Sequence, residues 1–201
     1  MYPRNEGRVA VSWTETAGKG GVIPMKRDFL GDSCDAVKRL WQQVFAEWAP
    51  LYAEPRFIPC EVQDDFTRLT GIPFLTDRHP PGYSILNDPD TGIRLPDAKD
   101  QREGQRHIRV ATIVDQLRNR GPRCVVTFDL SHDRRRELKH DSQRQVKLRC
   151  LAEEGIPAFY YVSHAPFLFA FPDSDSLREL QDRLLRAGIP ADRIEATTGD
   201  S

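Results

Sequence analysis

Residues 83–92 read Tyr-Ser-Ile-Leu-Asn-Asp-Pro-Asp-Thr-Gly, and residues 123–131 read Arg-Cys-Val-Val-Thr-Phe-Asp-Leu-Ser. Each holds an apolar run of strand length that ends on an aspartate. Between them Ile108, Ala111, Val114 and Leu117 recur at helical spacing, so residues 107–119 predict a helix closed by Gly121-Pro122. A strand, a crossover helix and a second strand predict a parallel pair. Asp88 and Asp129 then stand at neighbouring carboxyl ends, where open parallel sheets bind ligands.

The same reading extends toward the C-terminus. Residues 141–154 predict a helix capped by Asp141 and ended by Gly155. Residues 157–163 and 167–171 predict two strands about the His164-Ala165-Pro166 turn, too close for a crossover and therefore an antiparallel hairpin. Residues 176–187 predict a helix opened by a Ser176 and Glu179 capping box. Toward the N-terminus, Asp32 or Ser33 caps a helix that reaches about Trp48, with Ala36, Val37, Leu40, Trp41, Val44, Phe45 and Trp48 as its apolar stripe. Residues 56–60 predict a short strand weakened by Pro59. The stretch from there to Pro73 is polar and mixed, and residues 93–105 read as a polar loop. The fold class is α/β and Rossmann-like: a mostly parallel sheet, helices on both faces, and a C-terminal antiparallel β-hairpin.

The chain has 201 residues, 39% hydrophobic and 29% charged. That composition suits one folded domain over residues 23–201, preceded by a flexible arm over residues 1–22. No apolar run approaches a membrane span of about 18 residues, and no secretory apolar core stands at the start, so the expectation is no membrane. Cys34, Cys60, Cys124 and Cys150 form no C-x-x-C pair, so free thiols in a reducing cytoplasm are expected. Oligomeric state is left open.

Net charge is −1, but residues 99–150 carry 14 basic and 7 acidic side chains, a local +7. Arg134, Arg135, Arg136 and Lys139 lie in this block and are candidate nucleic-acid contacts, with a solvated helix face as the alternative. Five further groups are candidates for catalysis. Asp88, Asp90 and Asp129 can hold Mg²⁺ or orient a substrate amine, against the alternatives of a type I turn at 88–92 and of a helix cap or a loop salt bridge at Asp129. Lys38 is three positions after Asp35, so it either pairs with it or reaches a phosphate. His164 sits in the hairpin turn, where a histidine, as the residue type whose charge changes most readily in the physiological range, is a candidate acid or base, or a turn cap.

The stretch from Gly31-Asp32 through Asp35 to Lys38, the run Ile72-Pro73-Phe74-Leu75-Thr76-Asp77, the Asp88-Pro89-Asp90-Thr91-Gly92 turn and His164-Ala165-Pro166-Phe167-Leu168-Phe169 resemble a family of bacterial and phage proteins with a D-P-D-[NT]-G signature. More distantly, the chain is similar to Rossmann-type S-adenosylmethionine-dependent RNA adenine-N6 methyltransferases. Those proteins carry an Asn-x-x-Asp-x-x-Lys helix, a D-P-P-aromatic motif after a strand, and a closing hairpin. The resemblance implies an enzyme acting on nucleic acid or nucleotides, with Asp32 and Asp35 at the cofactor. It also implies that the 88–92 turn meets the amine of a target base. In this chain Asp90 and Thr91 replace the second proline and the aromatic, and no glycine-rich loop follows a first strand. A Mg-dependent nuclease or phosphodiesterase, and a non-catalytic nucleic-acid- or protein-binding module, are the alternatives.

Overall fold

The computed structural model describes residues 30–96, 104–131 and 140–197. The expected arm at residues 1–22 and the residues Arg134, Arg135, Arg136 and Lys139 lie outside the described residues.

The first helix, α1 (Ser33–Phe45), starts where Asp32 accepts hydrogen bonds from the Cys34 and Asp35 N–H groups, at 2.7 and 3.2 Å. It ends three residues short of Trp48. Strand β1 is Leu51–Ala53, before the predicted 56–60 strand, because Pro55–Phe57 turns as a 3-10 helix. Helix α2 (Gln63–Thr70) occupies the polar stretch that carried no assignment, and Gly71 closes it with a positive φ of 74°. Strand β2 (Ser84–Asn87) follows the sequence reading. The predicted 93–105 loop contains β3 (Gly92–Arg94), which pairs in parallel with β4 (His107–Arg109) in a separate two-stranded sheet. Helix α3 therefore begins later than expected, at Val110, and runs to Arg120.

Strand β5 (Cys124–Phe128) and helix α4 (His140–Glu153) follow. Asp141 sits inside the first turn of α4 rather than at its cap. Strands β6 (Ala158–Tyr161) and β7 (Phe167–Ala170) form the expected antiparallel hairpin. Helix α5 (Ser174–Arg186) is capped by Asp173, which accepts from the Ser176 N–H at 2.7 Å. The predicted capping box does not form: Glu179 instead accepts from Arg123 at 2.8 Å. A short β8 (Ile194–Ala196), absent from the sequence reading, closes the described chain.

The main sheet has the order β1-β2-β5-β7-β6-β8. β1, β2 and β5 are mutually parallel, with Ser84 opposite Cys124 and Asn87 opposite Thr127. β7 enters antiparallel between β5 and β6, and β8 pairs antiparallel to β6. The sheet is therefore mixed, less parallel than predicted. Phe74 adds a parallel bridge to Ala53 on the outer edge of β1. The chain thus leaves β1 outward toward Phe74 and leaves β2 inward toward β5. The carboxyl ends of β1 and β2 are where the connections diverge, and such a divergence opens a crevice.

Helices cover both faces. On one, Trp41 of α1 makes edge-on contacts with Tyr161, Phe167 and Phe169, at ring separations of 4.9, 5.8 and 5.3 Å. On the other, Gln116 of α3 exchanges hydrogen bonds with Asn87 of β2, at 2.8 and 3.0 Å. The strands between are fully buried, as near-continuous apolar runs require. No helix among the described residues is long and apolar enough to cross a membrane.

Candidate functional site at the carboxyl edge of the sheet

Asp88 and Asp129 do lie just past adjacent parallel strands. Their carboxylates, however, point to opposite faces. Side chains alternate along a strand, and Asn87 and Thr127 touch each other on the α3 side. Asp88, next in sequence to Asn87, turns to the α1 side. Asp129, two residues past Thr127, returns to the α4 side. Each meets a buried lysine there.

On the α1 side, Lys38 Nζ donates to Asp88 Oδ2 at 2.7 Å and to Asp35 Oδ1 at 3.0 Å. Its Nζ also stands 5.6 Å from the ring centres of both Phe66 and Phe128, a cation–π distance. Lys38 is 4% exposed and Asp88 1%. Burial alone would pull the Lys38 ammonium down, but the two carboxylates outweigh it and hold its pKa above that of a free lysine. Two carboxylates thus share one ammonium. Burial pushes the Asp88 carboxyl up, against the pull of Lys38. Asp35 has a second task, accepting from the Gly31 N–H at 2.7 Å. Asp32 and Asp35, read as cofactor contacts, are thus occupied in starting α1.

On the α4 side, Asp129 is saturated. Its Oδ1 accepts from the backbone N–H groups of Ile93 at 2.9 Å and Ser131 at 3.2 Å. Its Oδ2 accepts from Lys147 Nζ and from the Tyr160 hydroxyl, both at 2.6 Å. Burial, then the Asp129 charge, raises the Tyr160 phenol well above an ordinary tyrosine, so it stays a proton donor. Lys147, Tyr160 and Ser131 were missing from the site expected from sequence. Lys147 stood in the basic block as a surface charge, yet it is 1% exposed. A single lysine within a charged helix gives no sequence signal of burial.

Between these clusters runs the 88–92 turn. Asp90 and Thr91 are its half-buried side chains. Burial raises the Asp90 carboxyl, and the Asp88 charge adds to the rise. Three of the turn's backbone donors are spent: Asp90 N on Gln105 O at 3.0 Å, and Thr91 N and Gly92 N on Arg106 O at 2.9 and 3.3 Å. His164 lies exposed in the hairpin turn at the same edge. That turn reaches β5 through Pro166, whose carbonyl accepts from Asp129 N at 3.0 Å.

The metal assignment to Asp88, Asp90 and Asp129 is corrected by this geometry. Lys38 and Lys147 already neutralise two of the three carboxylates, from opposite faces. Among the described residues no group of three or more His, Cys, Asp or Glu side chains converges to hold a metal ion. The turn after β1, where the resemblance puts the methionine cofactor, does not fit that group either. Residues 51–70 contain no glycine, Pro55 and Pro59 lack N–H donors, and Phe57 and Ile58 fill the space at 1% exposure each. Glu54, following β1, is already paired with Arg120 at 2.5 Å.

No family profile, no curated protein and no solved structure matches this chain.

Proposed function

We propose that this chain binds nucleic acid or a nucleotide at the carboxyl edge of a methyltransferase-like scaffold, with Asp90 accepting from the amine of a base. The observation that carries the reading is the 88–92 turn itself. It follows a buried parallel strand, its first aspartate is neutralised by Lys38, and it leaves Asp90 half-exposed with an ionisable carboxyl. A carboxylate reads a base through an exocyclic amine such as that of cytosine. The local +7 of residues 99–150 supplies the attraction for phosphates. The scaffold part of the reading is supported by β7, inserted antiparallel between β5 and β6, and by Lys38 reaching Asp88 across fifty positions. Those are two motifs of the resemblance brought into contact. Pro55–Phe57 and its buried neighbours favour binding over methyl transfer.

Catalysis is the second reading, because a carboxyl raised by burial and a neighbouring charge is suited to carry a proton. Binding of labelled single-stranded oligonucleotides, followed by fluorescence anisotropy, tests the first. Cytosine and adenine runs should bind more tightly than uridine runs, which lack the exocyclic amine. Asp90→Ala should abolish the preference while leaving salt-sensitive binding. Equal affinity for all runs in the parent protein overturns the assignment of Asp90. Base release or modification in the same mixtures, absent in Asp90→Asn, would establish catalysis.

A further inference from the structure

The second buried ion pair has no part in that reading, yet it is the more heavily bonded of the two. Asp129 holds the N–H of Ile93, while the Ser131 hydroxyl has the carbonyl of the same residue at 2.6 Å and Asp129 Oδ1 at 2.5 Å as acceptors for its one proton. Lys147 donates to both Asp129 and Ser131, at 2.6 and 2.7 Å, and Tyr160 donates to Asp129. Ile93 is therefore gripped at both its backbone polar groups by the end of β5, backed by α4 and β6. The adjoining Gly92 has φ 129° and lies so near Asp129 that a Cβ there would stand 2.3 Å from Oδ1 and 2.7 Å from Cα. Only glycine fits such an approach.

We infer that Ser131, Lys147 and Tyr160 are positioning residues, which act through Asp129 to hold the C-terminal end of the 88–92 turn while Lys38 holds its N-terminal end. The two lysines grip the turn from opposite faces of the sheet. The N–H groups of Asp90, Thr91 and Gly92 are consumed by Gln105 and Arg106. The half-buried side chains that can meet a ligand are the Asp90 carboxyl and the Thr91 hydroxyl, presented on a rigid support. Such a support lowers the ordering cost of binding. A buried charge pair is weak evidence of stability in itself, since removing charges from water costs more than most pairs return. A four-residue network bonded to one backbone unit is better explained by placement.

The meaning of this inference rests on the reading of Asp90 above, but its test needs no ligand. Carbon-13 carboxyl NMR follows the Asp90 titration in the parent protein, in Ser131→Ala, in Tyr160→Phe, and in Leu180→Ala as a core-destabilised control away from the site. Loosening the grip lets water reach the turn, so the Asp90 midpoint in Ser131→Ala should move down toward the ordinary value of about 3.9. Tyr160→Phe should move it less. Leu180→Ala should lower the melting temperature and leave the midpoint in place. An Asp90 midpoint unmoved in both Ser131→Ala and Tyr160→Phe overturns the inference, as does an equal movement in the control. If the midpoint moves as expected but no oligonucleotide binds, the grip stands and the binding reading falls.

Discussion

Lys38 is the residue on which the site's electrostatics turn. It is buried between Asp35 and Asp88 and is the cation that pairs with both. Lys38→Met would leave both acids buried without a counter-charge, and breaking a buried pair this way costs about 3–5 kcal/mol. Urea unfolding at neutral pH measures that loss, and the double variant Lys38→Met with Asp88→Asn should recover part of it. Asp88→Asn alone should be well tolerated in stability, because it leaves Asp35 and Lys38 paired one to one. Asp90 is expected to respond differently. Its carboxyl is raised in the folded chain, so its ionisation opposes folding: the favourable contribution is complete below the unfolded pKa and is lost as pH rises through the folded one. Asp90→Asn should therefore melt higher than the parent at pH 7. The difference should shrink as pH falls toward 4, and a difference independent of pH contradicts the raised carboxyl.

At the scale of elements, α1 shows how one helix serves both core and site. Its spacing of three, three and four puts Asp35, Lys38, Trp41 and Phe45 on one buried stripe, with the charged pair at the N-terminal end and the two rings beneath the hairpin aromatics. Trp41 is fully buried against Tyr161, Phe167 and Phe169, so Trp41→Ala should cost about 3–5 kcal/mol. Leu185 on α5 is 45% exposed, and Leu185→Ala should stay within about 0.5 kcal/mol of the parent. Chemical denaturation of the two variants checks both. A small effect at Trp41 would mean that α1 is not docked on the β6–β7 hairpin, and Lys38 would then lose its support at Asp88.

For the whole molecule, the charge is near balance while the middle of the chain is strongly basic. Two surface grooves stand out among the described residues. One, of about 530 Å³, is lined by Glu54, Asp77, His79, Tyr83 and Arg120; the other, of about 540 Å³, lies between α3 and α4. Both have acidic side chains on their walls, which disfavours them as seats for phosphate. Oligonucleotide affinity should fall steeply as salt rises, because basic contacts release counterions. Replacing Arg134, Arg135 and Arg136 together by alanine should flatten the slope of log affinity against log salt. An unchanged slope would remove that stretch from the binding surface.

The strands at β2, β5, β6 and β7 were legible because a strand buried on both faces must be apolar along its length. The neighbouring carboxyl ends of Asp88 and Asp129 followed from the length of the connection between them. Strand β1, only three residues long, and strand β3 were not legible, since runs so short carry no period. Helix α2 was hidden because its buried face is little more than Phe66 and Thr70. The possible pairing of Asp35 with Lys38 was readable from helical spacing, whereas Asp88 joining it was not. The residues of the Asp129 network, from β3, the end of β5, α4 and β6, meet only after the sheet has formed, and nothing in a single lysine, tyrosine or serine announces that meeting. Local pattern determined which segments are strands and helices, because burial acts on each segment separately. The tertiary structure decided which face each aspartate takes and which lysine it meets, because those depend on strand alternation and on helices packed from opposite sides of the sheet.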